Sequence, residues 1–345
     1  MRLGFDLSPL AGFGSPGVQR ATRGLFAALR ARQAHEWLPL EPPPGVGSLR
    51  WRQWLLPQRA RQLGLEGLHC SVSALPLAAA VPLLQTVQEL PWRRFEPEGS
   101  DLAHRAWVRL GARRAAAVLV PSPATLADWR AELPRAARAP ELVPWGGAES
   151  LPRLEPEAAR DEVRRRLGIG SPYLLFPGST RPKKRLPELV RFLAAAPAAR
   201  GLALVVSGPP SPSLGAAARE AERSGLHLIS ADSRLDRPIG DELLAALIAG
   251  AAAVLSAARS EGFGFPILEA LALGTPALVQ AGSGPELSFQ AALAVDLADP
   301  AALSEALGRA LSLGSAERRE LVASVAGFTW ERAAAAVEAL WERLP

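Results

Sequence analysis

Short apolar runs separated by longer helical patterns recur along almost the whole 345-residue chain, and that alternation leaves few folds open. Strands joined through helices lie parallel, with right-handed crossovers, in a sheet that helices cover. The chain opens with a strand over residues 2–7, a loop carrying Gly12, Gly14 and Gly17, and a helical pattern over 18–31. Strand, glycine loop and helix in that order make a Rossmann-type opening. Further strands are expected at residues 67–71, 82–87, 117–120 and 141–144, with helices over 101–114 and 123–132.

One core does not accommodate this length, because single cores stop growing at roughly 250–300 residues. Pro152, Pro156 and a charged helix over 157–167 mark a boundary. A second α/β series follows, with strands at residues 173–177, 203–207, 226–229, 253–255, 276–280 and 293–295. A last helix over 329–344 carries Trp330 and Trp341. Hydrophobic content of 48% with 21% charged residues excludes a disordered chain. The single cysteine, Cys70, excludes an internal disulfide framework and a cysteine-based metal site. The start of the chain has no apolar signal segment. The longest uncharged apolar-rich run, 243–258, is split by Gly250 and falls short of the ~20 residues of a spanning helix. These features predict a cytoplasmic protein with nothing crossing a membrane.

Charge is uneven. Residues 1–150 hold 18 arginines, no lysine and 12 acids, so the net charge of +5 resides in the first half. Such a balance suits an anionic partner, although the general bias towards arginine accounts for it equally well. No recognition motif for nucleic acid accompanies the basic residues, and a nucleic-acid partner is not expected. The stretches 51–56 and 107–114 mix aromatic and basic groups as interfacial helices do, which makes peripheral contact with an anionic inner membrane face one expectation.

Two motifs carry the chemistry. The first runs from Ser260 to Pro276, following an apolar strand and opening a helix. Gly262 and Gly264 flank Phe263 and let the backbone approach a ligand closely. Pro266 suits the first helical position, and the free N–H groups of a helix start form an anion site. Glu261 in the loop and Glu269, read as lying in the first helical turn, would repel a diphosphate but accept hydroxyl pairs of a sugar or ribose. The second motif is Pro177-Gly178-Ser179-Thr180-Arg181-Pro182-Lys183-Lys184-Arg185, a strand end with four cations in five positions. Ligands of open α/β sheets bind at such carboxyl ends. Lys183 and Lys184 are the only lysines in the chain, which points to a compact ammonium at work there.

These residues resemble the group 1 (family 4) retaining glycosyltransferases of the GT-B fold, over nearly the whole chain. The resemblance implies two Rossmann-like domains facing across a cleft: 1–150 on the acceptor side, 151–328 for the nucleotide-sugar donor, and 329–345 as a C-terminal helix packing back towards the N-terminal domain. By resemblance Glu261 contacts the donor sugar hydroxyls, Glu269 the ribose, and Arg181 with Lys184 the diphosphate, Lys183 being a possible substitute. Glu261, Arg181 and Lys184 are then the catalytic residues. Gly14 and Gly17 match the loop that nears the donor phosphates from the other domain, and Ser283-Gly284-Pro285-Glu286 resembles the segment that usually follows the glutamates. No metal and no cofactor is implied beyond the nucleotide-sugar co-substrate; the acceptor is a glycan or lipid-linked.

One departure matters. Many members carry His-Asp where this chain has Gln88-Glu89. Gln88 can bond a sugar hydroxyl in the donor site but cannot usefully accept a proton. None of the four histidines falls at this position, and His35, His69, His104 and His227 read as surface or packing residues. The departure motivates a second reading, a degenerate donor-binding subunit that scaffolds or regulates another transferase.

Overall fold

The computed structural model describes residues 1–94, 101–136, 139–235 and 238–344. The chain divides into two compact units, one made of Met1–Gly146 with Phe328–Pro345 and the other of Gly147–Gly327.

The first unit holds a six-stranded parallel sheet of β1 (Arg2–Asp6), β2 (Glu36–Leu40), β3 (Gly67–Cys70), β4 (Leu83–Thr86), β5 (Ala117–Val120) and β6 (Glu141–Leu142), in the order β2-β1-β3-β4-β5-β6. Every residue of β3, β4 and β5 is buried, as interior parallel strands covered on both faces require. Strand β2 has no counterpart among the expected elements. Its Pro39 lacks an N–H to donate, which an edge strand tolerates, and β2 pairs with β1 alone.

The first helix, Pro16–Arg32, begins two residues earlier than expected, because Ser15 is extended and Pro16 fits the opening turn. Gly17 therefore lies inside the helix rather than in the loop before it. Gly12 does need to be glycine, at φ +92°. The terminal helix, Trp330–Glu342, packs on this unit through three glycines. A Cβ on Gly24 would lie 2.2 Å from the Trp330 ring, one on Gly67 2.4 Å from the Trp341 ring, and one on Gly146 2.0 Å from the Trp330 amide. Arg32 fastens the same helix, its Nε donating to Glu338 at 2.5 Å and its Nη1 to Glu331.

The second unit holds β7 (Tyr173–Pro177), β8 (Ala203–Ser207), β9 (Leu228–Ser230), β10 (Ala253–Ser256), β11 (Ala277–Gln280) and β12 (Leu293–Val295), parallel and in the order β12-β11-β10-β7-β8-β9. Leu174 and Phe176 of β7 and Leu204 and Val206 of β8 pack under Leu189, Val190 and Leu193 of the helix Leu186–Ala195. From β7 the chain builds outwards through β8 to β9, then returns to lay β10 on the other side of β7. Connections therefore diverge between β7 and β10, and their carboxyl ends flank the crevice where open α/β sheets take ligands. Among the described residues, no helix is long and apolar enough to cross a membrane.

Candidate active site

The loops after β7 and β10 meet at this switch point. Gly178 leaves β7 at φ +90°, its N–H donating to Ser207 O at 2.5 Å. A Cβ on Gly208 would lie 2.1 Å from Gly178 O, so the loops after β7 and β8 can run together only with bare backbone there. The Asp232 carboxylate accepts the Gly208 N–H at 2.7 Å, and Thr180 Oγ1 lies 2.6 Å from Ser211 Oγ. The turn Pro182–Lys184 then leads through Arg185, a non-glycine residue at φ +56°, into the helix Leu186–Ala195. The Arg185 guanidinium stacks 5.3 Å above the Phe192 ring, which holds this uncommon backbone conformation in place.

Two contacts join the basic turn to the loop after β10. The Arg259 N–H donates to Lys183 O at 3.3 Å, and Lys184 Nζ donates to Glu261 Oε1. Both side chains of this ion pair are largely covered, 17% exposed for Lys184 and 13% for Glu261. Arg181 is exposed and Lys183 half-buried beside them. Lys184 and Glu261 are 77 residues apart in sequence, and the fold alone brings them together.

Glu261 is fixed from behind by its own N–H, which donates to Ser283 O at 3.0 Å. Gly262 follows, half-buried, and Phe263 packs edge-on against Phe265 and Phe289 at 5.1 and 5.3 Å. Gly264 caps the helix Phe265–Ala272 at φ +96°, where a Cβ would sit 3.1 Å from the Pro285 ring. The helix thus starts at Phe265, one residue before the expected Pro266. Glu269 is its fifth residue, beyond the first turn, and only 4% exposed. The left-handed glycine cap opens the first turn early and moves Glu269 into the second.

The sequence marks Glu286 only as part of Ser283-Gly284-Pro285-Glu286, without a role, and does not mark Asp232 at all. The two oxygens of Glu286 accept the Gly282 and Gly284 N–H groups at 2.8 and 2.9 Å, which shapes the loop that carries Ser283. Its place in Ser-Gly-Pro-Glu was the available signal. Asp232 had none, since only the pairing of β8 with β9 brings it to Gly208.

The remaining candidates lie in the first unit. Gly14 precedes the first helix; its carbonyl accepts Gln19 Nε2 at 2.9 Å, and a Cβ there would lie 2.7 Å from Pro9. Gln88 follows β4. Its Nε2 donates to Ser71 O at 3.3 Å and its Oε1 accepts the Trp145 indole N–H at 3.0 Å. His69 is fully buried and His104 Nε2 lies 2.9 Å from Ser73 Oγ. Among the described residues, no three His, Cys, Asp or Glu are grouped to hold a metal ion.

The family model for "Glycosyl transferases group 1" matches residues 159–324, which span the basic turn and both glutamates. No match was found among curated proteins. Solved structures match over the full length. HepE from Anabaena in complex with UDP-glucose is 15% identical with a TM-score of 0.75, covering 100% of both chains. Sucrose-phosphate synthase from Thermosynechococcus elongatus is 18% identical with a TM-score of 0.73, covering 100% of this chain and 99% of its own. WaaG, a glycosyltransferase involved in lipopolysaccharide biosynthesis, is 15% identical with a TM-score of 0.68, covering 97% of this chain and 98% of its own. At these identities the likeness establishes the fold, two Rossmann-like units of the GT-B kind. Residues 159–324 are thus similar to the group 1 glycosyltransferases, and they sit in a chain whose fold is of the GT-B kind.

Proposed function

We propose that the protein is a retaining, metal-independent transferase that moves a sugar from a nucleotide-sugar donor to a glycan or lipid-linked acceptor. The carrying observation is the Lys184–Glu261 ion pair held between the loops after β7 and β10. An ammonium has three N–H donors, so one on Glu261 leaves two for the oxygens of a diphosphate. Arg181 and the start of the helix Phe265–Ala272 add positive potential at the same loops. Glu261 accepts hydroxyls of the sugar and Glu269 those of the ribose.

Transfer breaks the bond from the anomeric carbon to the phosphate oxygen and forms one to the acceptor oxygen on the same face. The acceptor proton passes to the departing phosphate, so no protein base is needed and Gln88 is tolerated. Charge growing on that phosphate is what the cations stabilise. UDP-glucose, held by the Anabaena neighbour, is the first donor to test. A ligand at 100 times its Kd stabilises the fold by about 2.7 kcal/mol, so a thermal-shift panel of nucleotide sugars identifies the donor. Transfer should fall on the order of 10²-fold or more in Glu261→Ala and in Arg181→Ala/Lys184→Ala. Unchanged rates in both variants sink these assignments.

Gln88 favours one rival. Its amide is engaged at both ends within the first unit, as befits a structural residue in a donor-binding subunit without turnover. Calorimetric donor binding with neither hydrolysis nor transfer would select that reading. For the membrane, Trp51 and Leu56 are buried, whereas Trp54 is 60% and Leu49 59% exposed beside Arg50. Sedimentation with anionic vesicles at low salt tests this surface, and Trp54→Ala should weaken it.

A further inference from the structure

A cavity of about 290 Å³ opens at the amino-terminal edge of the second sheet, beside Tyr173 at the start of β7. The loops of the proposed donor site lie at the other edge; five residues of β7 separate the two by roughly 16 Å. Arg160 and Arg164, one turn apart on the helix Pro156–Leu167, line the cavity together with Arg318 from the helix Ser315–Val325. Among the described residues that line it there is no Asp or Glu.

The placement of Arg160 and Arg318 is built in, whereas the Arg164 side chain is 63% exposed. A Cβ on Gly250 would lie 3.3 Å from Arg160 Cγ and 2.8 Å from the Tyr173 hydroxyl, so the Arg160 stem crosses bare backbone. A Cβ on Gly170 would lie 3.6 Å from Arg164 Nε. Arg318 is held by neutral carbonyls, its Nη1 donating to Gly274 O at 3.1 Å and its Nε to Leu313 O at 3.4 Å. Asp161 touches Arg164 at 3.3 Å, from the exposed side of the helix. Like charges one turn apart destabilise a helix, and a third across a partly covered cavity adds to that repulsion. Burial, then the charge of Arg160, push the Arg318 guanidinium below its usual range. An anion seated among the three would relieve all of this, and planar guanidinium forks suit phosphoryl oxygens. Ile169, Pro172 and Leu311 give the cavity an apolar wall.

We propose that Arg160, Arg164 and Arg318 form a second anion site that takes a phosphoryl group, free or as the ester of a small molecule. The site is independent of the donor loops. Calorimetry on the full chain carrying Arg181→Ala/Lys184→Ala removes phosphate binding by those loops. Inorganic phosphate and glucose 6-phosphate should still bind this protein. Adding Arg160→Ala/Arg164→Ala should weaken both by about ten-fold or more, with the melting temperature showing that the unit stays folded. Equal affinity for the two probes assigns the site to the oxyanion alone, and tighter binding of the ester brings in the apolar wall. If neither probe binds the parent, or if affinities stay within about two-fold after the arginines are removed, the proposal is overturned.

Discussion

His69 lies on β3 with no exposed surface, its ring centroid 4.5 Å from that of Phe5 and its Nε2 2.9 Å from Thr86 Oγ1. Burial pushes its pKa down from 6.5 to about 3. As pH falls below 6.5 the unfolded chain takes up a proton that the folded chain refuses until about 3. The stability His69 contributes is therefore complete above 6.5 and is lost progressively down to about 3, by up to about 1.4 kcal/mol per pH unit. Urea midpoints followed by tryptophan fluorescence should fall between pH 6.5 and 5, and His69→Asn should flatten that slope whatever its absolute stability. A parallel slope in the variant would assign the effect elsewhere. Residue types at the site were legible, since two lysines confined to one loop and two glutamates around glycines single themselves out. Their pairing was not. Nothing in local pattern says that Lys184 meets Glu261 rather than Glu269, because that depends on β10 lying next to β7.

Elements were legible wherever period and punctuation agreed. The strands Ala117–Val120, Tyr173–Pro177 and Ala203–Ser207 stand where the apolar runs place them. Strand β2 was not, since proline and a single buried edge give Glu-Trp-Leu-Pro-Leu neither a continuous apolar run nor a clean alternation. Helix starts shifted by one or two residues, a change with consequences at Glu269 because it moves the carboxylate into the second turn. One helix end offers a direct test. Gln33 closes Pro16–Arg32 at φ 56°, a left-handed cap usually given to glycine, and its side chain is exposed. Gln33→Gly should stabilise the protein by about 1 kcal/mol in urea unfolding, since non-glycine residues pay roughly 1–2 kcal/mol for that conformation. No gain would mean that the Gln33 side chain contributes as much as its backbone loses.

The two units can be watched separately, because all nine tryptophans fall within Met1–Gly146 and Phe328–Pro345. Indole fluorescence therefore reports the first unit, while circular dichroism reports both. Gly67→Ala would drive a methyl into the Trp341 ring and Leu3, where overpacking costs typically 1–3 kcal/mol. The fluorescence transition should move to lower urea by that amount, with a second transition seen by circular dichroism left in place. Movement of both together would show that the units unfold as one.

The terminal helix also sets an order of assembly. During synthesis, residues 147–327 are all present before Phe328 leaves the ribosome, whereas the first unit still lacks the helix that fills the notches at Gly24, Gly67 and Gly146. The unit whose sequence emerges first is thus the last to be completed. Until translation delivers Trp330 and Trp341, its apolar seat for them stands open, and that interval is when the nascent chain most needs shielding from its neighbours.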